Sequence, residues 1–295
     1  MRFRFIALVI VTALVTGCGP PTVPEAANTL NVTVSILPQK HFVERVGGER
    51  VRVTVMVEPG ASPATYEPKV EQLAALSRSV AYFSIGVPFE GAWLDKIASA
   101  NEAMLVVDST EGIERLPMTA HSHGAEEHQE ELSNPDPHVW LSPALVKTQA
   151  RTIYKALAAV DPDHEAEYRA NLEDFLADID ALDVDIRETL AGVEHRKFMV
   201  FHPSWGYFAH DYGLEMIPVE IGGQEPSAAE MAALIEEARE EGIKVIFAQP
   251  EFSTRSAEII ADEIGGEVLL VSPLAEDWPG NLLRAAETLA EVLGR

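Results

Sequence analysis

His138 stands in Asp136-Pro137-His138-Val139-Trp140, and His202 stands in Phe201-His202-Pro203-Ser204-Trp205. Both are flanked by prolines, which restrict the backbone that carries each ring. Neutral imidazole is the commonest side-chain metal ligand, so two such histidines converging on one crevice would hold a divalent cation. The second follows Phe198-Met199-Val200-Phe201, an apolar run that reads as a buried strand. In open parallel sheets, ligands bind outside the carboxyl ends of the strands, which is where a histidine after such a run lies.

The elements that must position these residues are α/β in both halves. Runs at Val32–Ile36, Val51–Val57, Val80–Ile85 and Leu105–Asp108 alternate with helical patterns at Lys69–Ser79 and Phe89–Ala100. Runs at Phe198–Phe201, Val245–Ala248 and Val268–Val271 repeat that alternation, and Ser227 with Glu230 forms a capping box before Met231 and Leu234. Strand–helix alternation implies crossovers and a parallel sheet in each half. Between the halves, Ser142-Pro143 caps one helix, Asp161-Pro162-Asp163 interrupts it, and a second helix is predicted from His164 to Ala191. At the usual rise that helix is about 42 Å long, and its single apolar stripe makes it a strut. The fold class is therefore α/β, two parallel-sheet lobes joined by a long rigid helix. The N-terminal lobe spans 31–141, the helical region 142–193 and the C-terminal lobe 194–295.

Arg2 and Arg4 precede an apolar stretch from Phe5 to Val15, too short to span a bilayer, followed by Val15-Thr16-Gly17-Cys18. This reads as an export signal over 1–17. Cys18 is the sole cysteine, so no intrachain disulfide forms. Its setting resembles the lipobox of bacterial lipoproteins, in which the cysteine is lipidated and begins the mature chain. Residues 18–30, with Pro20, Pro21 and Pro24, read as a tether. The expected address is a cell membrane, with the protein lipid-anchored and facing the periplasm or the cell exterior, as a monomer. A net charge of −25 excludes nucleic acid as a partner, and 47% apolar content suffices for real cores.

Several further blocks carry a resemblance. Pro59-Gly60-Ala61-Ser62-Pro63-Ala64-Thr65-Tyr66-Glu67-Pro68, Asp136-Pro137-His138-Val139-Trp140-Leu141-Ser142-Pro143, His202 with Gly206-Tyr207-Phe208, Phe247-Ala248-Gln249-Pro250-Glu251, and Pro273-Leu274-Ala275-Glu276-Asp277 occur in this order. Together they resemble the zinc/manganese solute-binding receptors of ABC importers (cluster A-I), from about Asn31 to the C-terminus. The resemblance implies a single divalent cation bound between the lobes and delivered to a membrane permease. Of the four ligands it implies, two fall on His138 and His202. The other two fall on Ala64, where the family has histidine, and on Ser272, where it has a carboxylate. Neither replacement is a good ligand, and a zinc site wants four donors, or three and a water. Glu67, Glu251 and His41 are the candidates to complete the shell.

His121, His123 and His128 lie among Glu126, Glu127, Glu130 and Glu131 in a loop spanning 119–134. Zinc-binding relatives carry such an insertion to gather metal, and a solvated acidic loop with incidental histidines is the plainer reading. Imidazole donors favour Zn(II) over the alternative, Mn(II). The sequence carries no His-Glu-x-x-His, nucleophile elbow or phosphate loop, so a binding protein rather than an enzyme is expected. The alternative is a paralogue with a degenerate metal site that binds another ligand or a partner.

Overall fold

The computed structural model describes residues 29–118, 135–221 and 223–294. Cys18, the signal and tether segments up to residue 28, and His121, His123 and His128 lie outside the described residues.

In the first lobe, β1 (Leu30–Val34), β2 (Val51–Val55), β3 (Ala81–Ser84) and β4 (Leu105–Asp108) form a parallel sheet in the order β2-β1-β3-β4. In the second, β5 (Lys197–Val200), β6 (Glu215–Pro218), β7 (Val245–Ala248) and β8 (Glu267–Leu270) repeat that order as β6-β5-β7-β8. Crossovers run through α1 (Leu37–Gly47), α2 (Val70–Leu76) and α3 (Pro88–Ser99) in the first lobe. In the second they run through α6 (Gly206–Tyr212), α7 (Ala228–Glu240) and α8 (Arg255–Ile264). The helices α4 (Pro143–Val160) and α5 (Glu165–Leu190) connect the lobes, and α9 (Trp278–Leu293) closes the described chain.

Apolar runs in the sequence reach past several strand ends. Ile36, Val57, Ile85 and Phe201 are all buried, yet each lies beyond the last strand residue. Hydrophobicity reports burial, and these residues stay in the core while the backbone leaves the ladder to build the loops that carry function. The short edge strand β6, ending at Pro218, and the helix α1 had no clear periodic signal. Proline is tolerated on an edge because no ladder donor is needed there.

The caps are local chemistry. Ser142 Oγ accepts from the Leu145 N–H at 3.2 Å with Pro143 at the first helical position. The Ser227 N–H donates to Glu230 at 2.7 Å in the reciprocal capping box of α7. The strut is slightly shorter than its sequence pattern, 26 residues, or about 39 Å. Its Tyr168, Phe175, Ile179 and Ile186 are buried against α4, α9 and α1. One continuous apolar core runs from the first sheet across α4, α5 and α9 to one face of the second sheet. A second, smaller core fills the other face under α7 and α8. No helix among the described residues is long and apolar enough to cross a membrane.

Two indoles tie the lobes directly. Trp140 Nε1 donates to the Pro273 carbonyl at 2.7 Å, and Trp278 Nε1 donates to the Trp140 carbonyl at 2.7 Å. All three residues are largely buried, so these bonds form away from competing water.

Candidate metal centre

His138 is set by the residue two before it. Asp136, 1% exposed, accepts from the His138 backbone N–H at 2.9 Å and pairs with its Nδ1 at 2.7 Å. An ionised carboxylate only accepts, so Nδ1 carries the proton and Nε2 is left as the free donor atom. Asp136 is itself held by its backbone: its N–H donates to the Leu116 carbonyl at 2.8 Å and its carbonyl accepts from Tyr207 at 3.0 Å. Burial lowers the His138 pKa, with Asp136 opposing that shift and His202 adding to it. The ring is therefore neutral at physiological pH, the form that ligates.

His202 follows β5, and the end of the neighbouring edge strand β6 supplies its partner. Its Nδ1 pairs with Glu220 at 2.5 Å, which again leaves Nε2 free. Gln249, fully buried after β7, clamps the loop: its Oε1 accepts from the His202 N–H at 3.1 Å and its Nε2 donates to the His202 carbonyl at 2.8 Å. The ring lies flat on Phe252, 4.5 Å between centroids at 20°. Glu220 carries no signal in the sequence, and Gln249 and Phe252 enter it only as motif residues with no contact to His202 assigned. Only the β5–β6 and β5–β7 pairings bring them to His202, and no local spacing encodes those.

The two rings meet across the lobes with centroids 5.3 Å apart at 72°. They line one cleft of about 60 Å³ together with Ala64, Met118, Glu251 and Phe252, among others. Ala64 is an exposed loop residue on that wall, and its methyl offers no donor atom. Glu251 reaches the same wall, and Ser272 Oγ donates to its Oε1 at 2.5 Å. Among the described residues, no three His, Cys, Asp or Glu side chains converge into a ready-made metal cluster.

The other two candidates for completing the shell are corrected by their surroundings. Glu67 is exposed and outside the cleft wall. It does not cap the following helix either, since Lys69 and Gln72 form that boundary. His41 lies on α1 with its ring against Phe42, Phe175 and Trp278, at 5.8 to 6.2 Å between centroids. Burial, with Arg45 adding to it, pushes its pKa down from 6.5 to about 4. It is a packing residue of the helical layer. Unfolded His41 takes a proton near 6.5 and folded His41 resists until about 4, so stability falls as pH drops through that window. Thermal melts from pH 7.5 to 4 should show a shallower acid decline in H41F than in the wild type. Parallel curves would remove His41 from the account.

A larger groove of about 610 Å³ lies at the opposite ends of the second sheet, around Lys197, Lys244, Gly266 and Glu241. Its cations are already engaged: Lys197 with Glu241 at 2.8 Å, and Lys244 with the Ile264 carbonyl at 2.6 Å. Size alone does not make it the site.

The zinc-uptake complex component A (ZnuA, periplasmic) family model matches residues 32–292. The high-affinity zinc uptake system protein ZnuA of Bacillus subtilis is 28% identical over 280 residues, covering 88% of this chain and 85% of that protein. The zinc-binding lipoprotein AdcA of Streptococcus pneumoniae is 27% identical, covering 85% of this chain and 51% of its own length. A crystal structure of ZnuA superposes with a TM-score of 0.84 at 48% identity, covering 90% of this chain and 99% of that one. With two parallel-sheet lobes, a connecting strut and a two-histidine cleft at the strand ends, the chain belongs to the ZnuA family of exported zinc/manganese solute-binding receptors.

Proposed function

We propose that this protein binds one Zn(II) ion in the interlobe cleft and hands it to the membrane permease of an ABC importer. The observation that carries this reading is the pair of facing imidazoles, each with Nδ1 held by a carboxylate and each from a different lobe. Neutral imidazole suits zinc better than manganese, which prefers oxygen donors. Cleft size argues in the same direction: about 60 Å³ is far below the roughly 300–1,000 Å³ of sites for organic ligands. That weighs against the alternative of a paralogue adapted to another solute, despite Ala64 and Ser272. The site is proposed to bind and release rather than to catalyse, and a screen with ester, phosphate and peptide substrates should find no turnover.

Full-length protein with His121, His123 and His128 replaced by alanine isolates the cleft from the acidic loop. Equilibrium dialysis should then find a single zinc per chain, and less manganese at equal free concentration. A protein that binds neither would overturn the reading.

Anchoring through a lipidated Cys18 belongs to the same proposal, supported by Val15-Thr16-Gly17-Cys18. One acyl chain holds only marginally and more than one holds stably. C18S should therefore move the protein from the membrane to the soluble fraction. Unchanged membrane retention, with no lipid mass on the wild-type N-terminal peptide, would reject the anchor.

A further inference from the structure

Among the described residues, Glu251 is the one acidic side chain on the cleft wall, and only half of its carboxylate is satisfied. Oε1 accepts from Ser272 Oγ at 2.5 Å, whereas Oε2 is buried and has no hydrogen-bond partner among the described residues. A buried carboxylate oxygen without a donor is costly, and the cost is removed by protonation or by a cation. The register of the second sheet explains why Ser272 reaches it. β7 and β8 pair in parallel through Ala248 and Leu270, so the loops that leave them lie side by side. Ser272 is itself fixed, its Oγ accepting from the Leu274 N–H at 3.0 Å and its carbonyl accepting from Asn281 at 2.8 Å.

We infer that Glu251 is the third, anionic donor to the cleft cation, and that Ser272 is a positioning residue that orients its carboxylate. The inference rests on the proposed zinc-binding role and specifies its ligand set. The carboxylate comes from the loop after β7, and the loop after β8 supplies a hydroxyl to steer it. Two neutral imidazoles and one carboxylate leave a fourth position on the side of Ala64, which water fills in a three-ligand zinc site. Since no three donors converge in the ion-free arrangement, the cation draws Oε2 towards the two rings by side-chain rotation. That movement gives the partnerless oxygen its partner.

The test uses full-length protein with the three loop histidines replaced, and adds E251Q, S272A and H138A/H202A. Glutamine keeps the shape of glutamate and its contact with Ser272 but removes the charge. E251Q should bind zinc about fiftyfold more weakly, and S272A about fivefold more weakly. Without metal, E251Q should melt at the same temperature as its parent or higher, because an unpaired buried charge has gone. A merely structural glutamate would instead lower the melting temperature and leave zinc affinity unchanged. X-ray absorption of the zinc-loaded parent should show two imidazoles with oxygen donors, and the cobalt(II) visible spectrum should change in both E251Q and S272A. If E251Q binds as tightly as its parent while H138A/H202A does not, Glu251 is not a ligand and the two-histidine reading stands. If neither variant is weakened, the cleft is not the zinc site at all.

Discussion

Removing both imidazoles in H138A/H202A should weaken zinc binding by about a thousandfold or more. Structural zinc sites bind with about 10–16 kcal/mol in total, so two of the principal donors account for several kcal/mol, and about 4 kcal/mol is a thousandfold. The effect should be large because both rings are already oriented for ligation through Nε2. Asp136 and Glu220 hold the two Nδ1 atoms, so little side-chain freedom is lost when the ion arrives. Isothermal titration on protein lacking the loop histidines reads the cleft alone. Each single variant should lose less than the double, and circular dichroism should be unchanged, since neither ring belongs to the apolar cores. An affinity in the double variant within threefold of the parent would disprove the two-histidine centre.

The second large effect is a gain. Ala64 lies exposed on the cleft wall that carries His138 and His202, at the position where the sequence resemblance implies a histidine ligand. A64H should place a third imidazole in the water-filled position and tighten zinc binding by about tenfold to a hundredfold. The sequence argues for a matching carboxylate at position 272, but the structure changes that expectation. Ser272 Oγ is 2.5 Å from Glu251 Oε1 as a hydrogen-bond donor. An aspartate there would set two carboxylates against each other without metal, which raises the pKa of one and lowers apo-protein stability. S272D alone should therefore gain little, and A64H/S272D should improve on A64H by less than a separate fourth ligand would. Affinities of the two singles and the double check this. A double variant far tighter than A64H would mean that Glu251 stands apart from the ion.

Much of the architecture was legible because it is periodic. Alternating β-branched runs and helical stripes marked seven of the eight described strands and the strut, and the Ser142 cap and the Ser227–Glu230 capping box marked helix starts. The convergence of His138 and His202 was legible because each sits beside proline in a loop entering or leaving a core element. What holds them was not. Glu220 lies 18 residues from His202 and Gln249 lies 47 away, and only the order β6-β5-β7-β8 makes them neighbours. The same limit explains why Glu251, Glu67 and His41 looked alike as candidate donors. Residue type says that a side chain can bind a metal. Burial among Phe42, Phe175 and Trp278 removes one of the three, and exposure outside the cleft removes another.

The paired indoles that cross between the lobes have a kinetic meaning. Trp140 bonds to Pro273, Trp278 bonds to Trp140, and the same Trp278 ring packs edge-on against Phe42 at 5.1 Å. Swinging the lobes apart would break two buried hydrogen bonds, at about 0.5–1.5 kcal/mol each once water replaces them, and would also split a continuous apolar core. Wide opening is thus opposed by these contacts, and the proposed cation would leave past the small loops bearing Ala64 and Glu251. On the proposed function, handing the ion over would then call for a partner that loosens those loops rather than one that waits for the lobes to part.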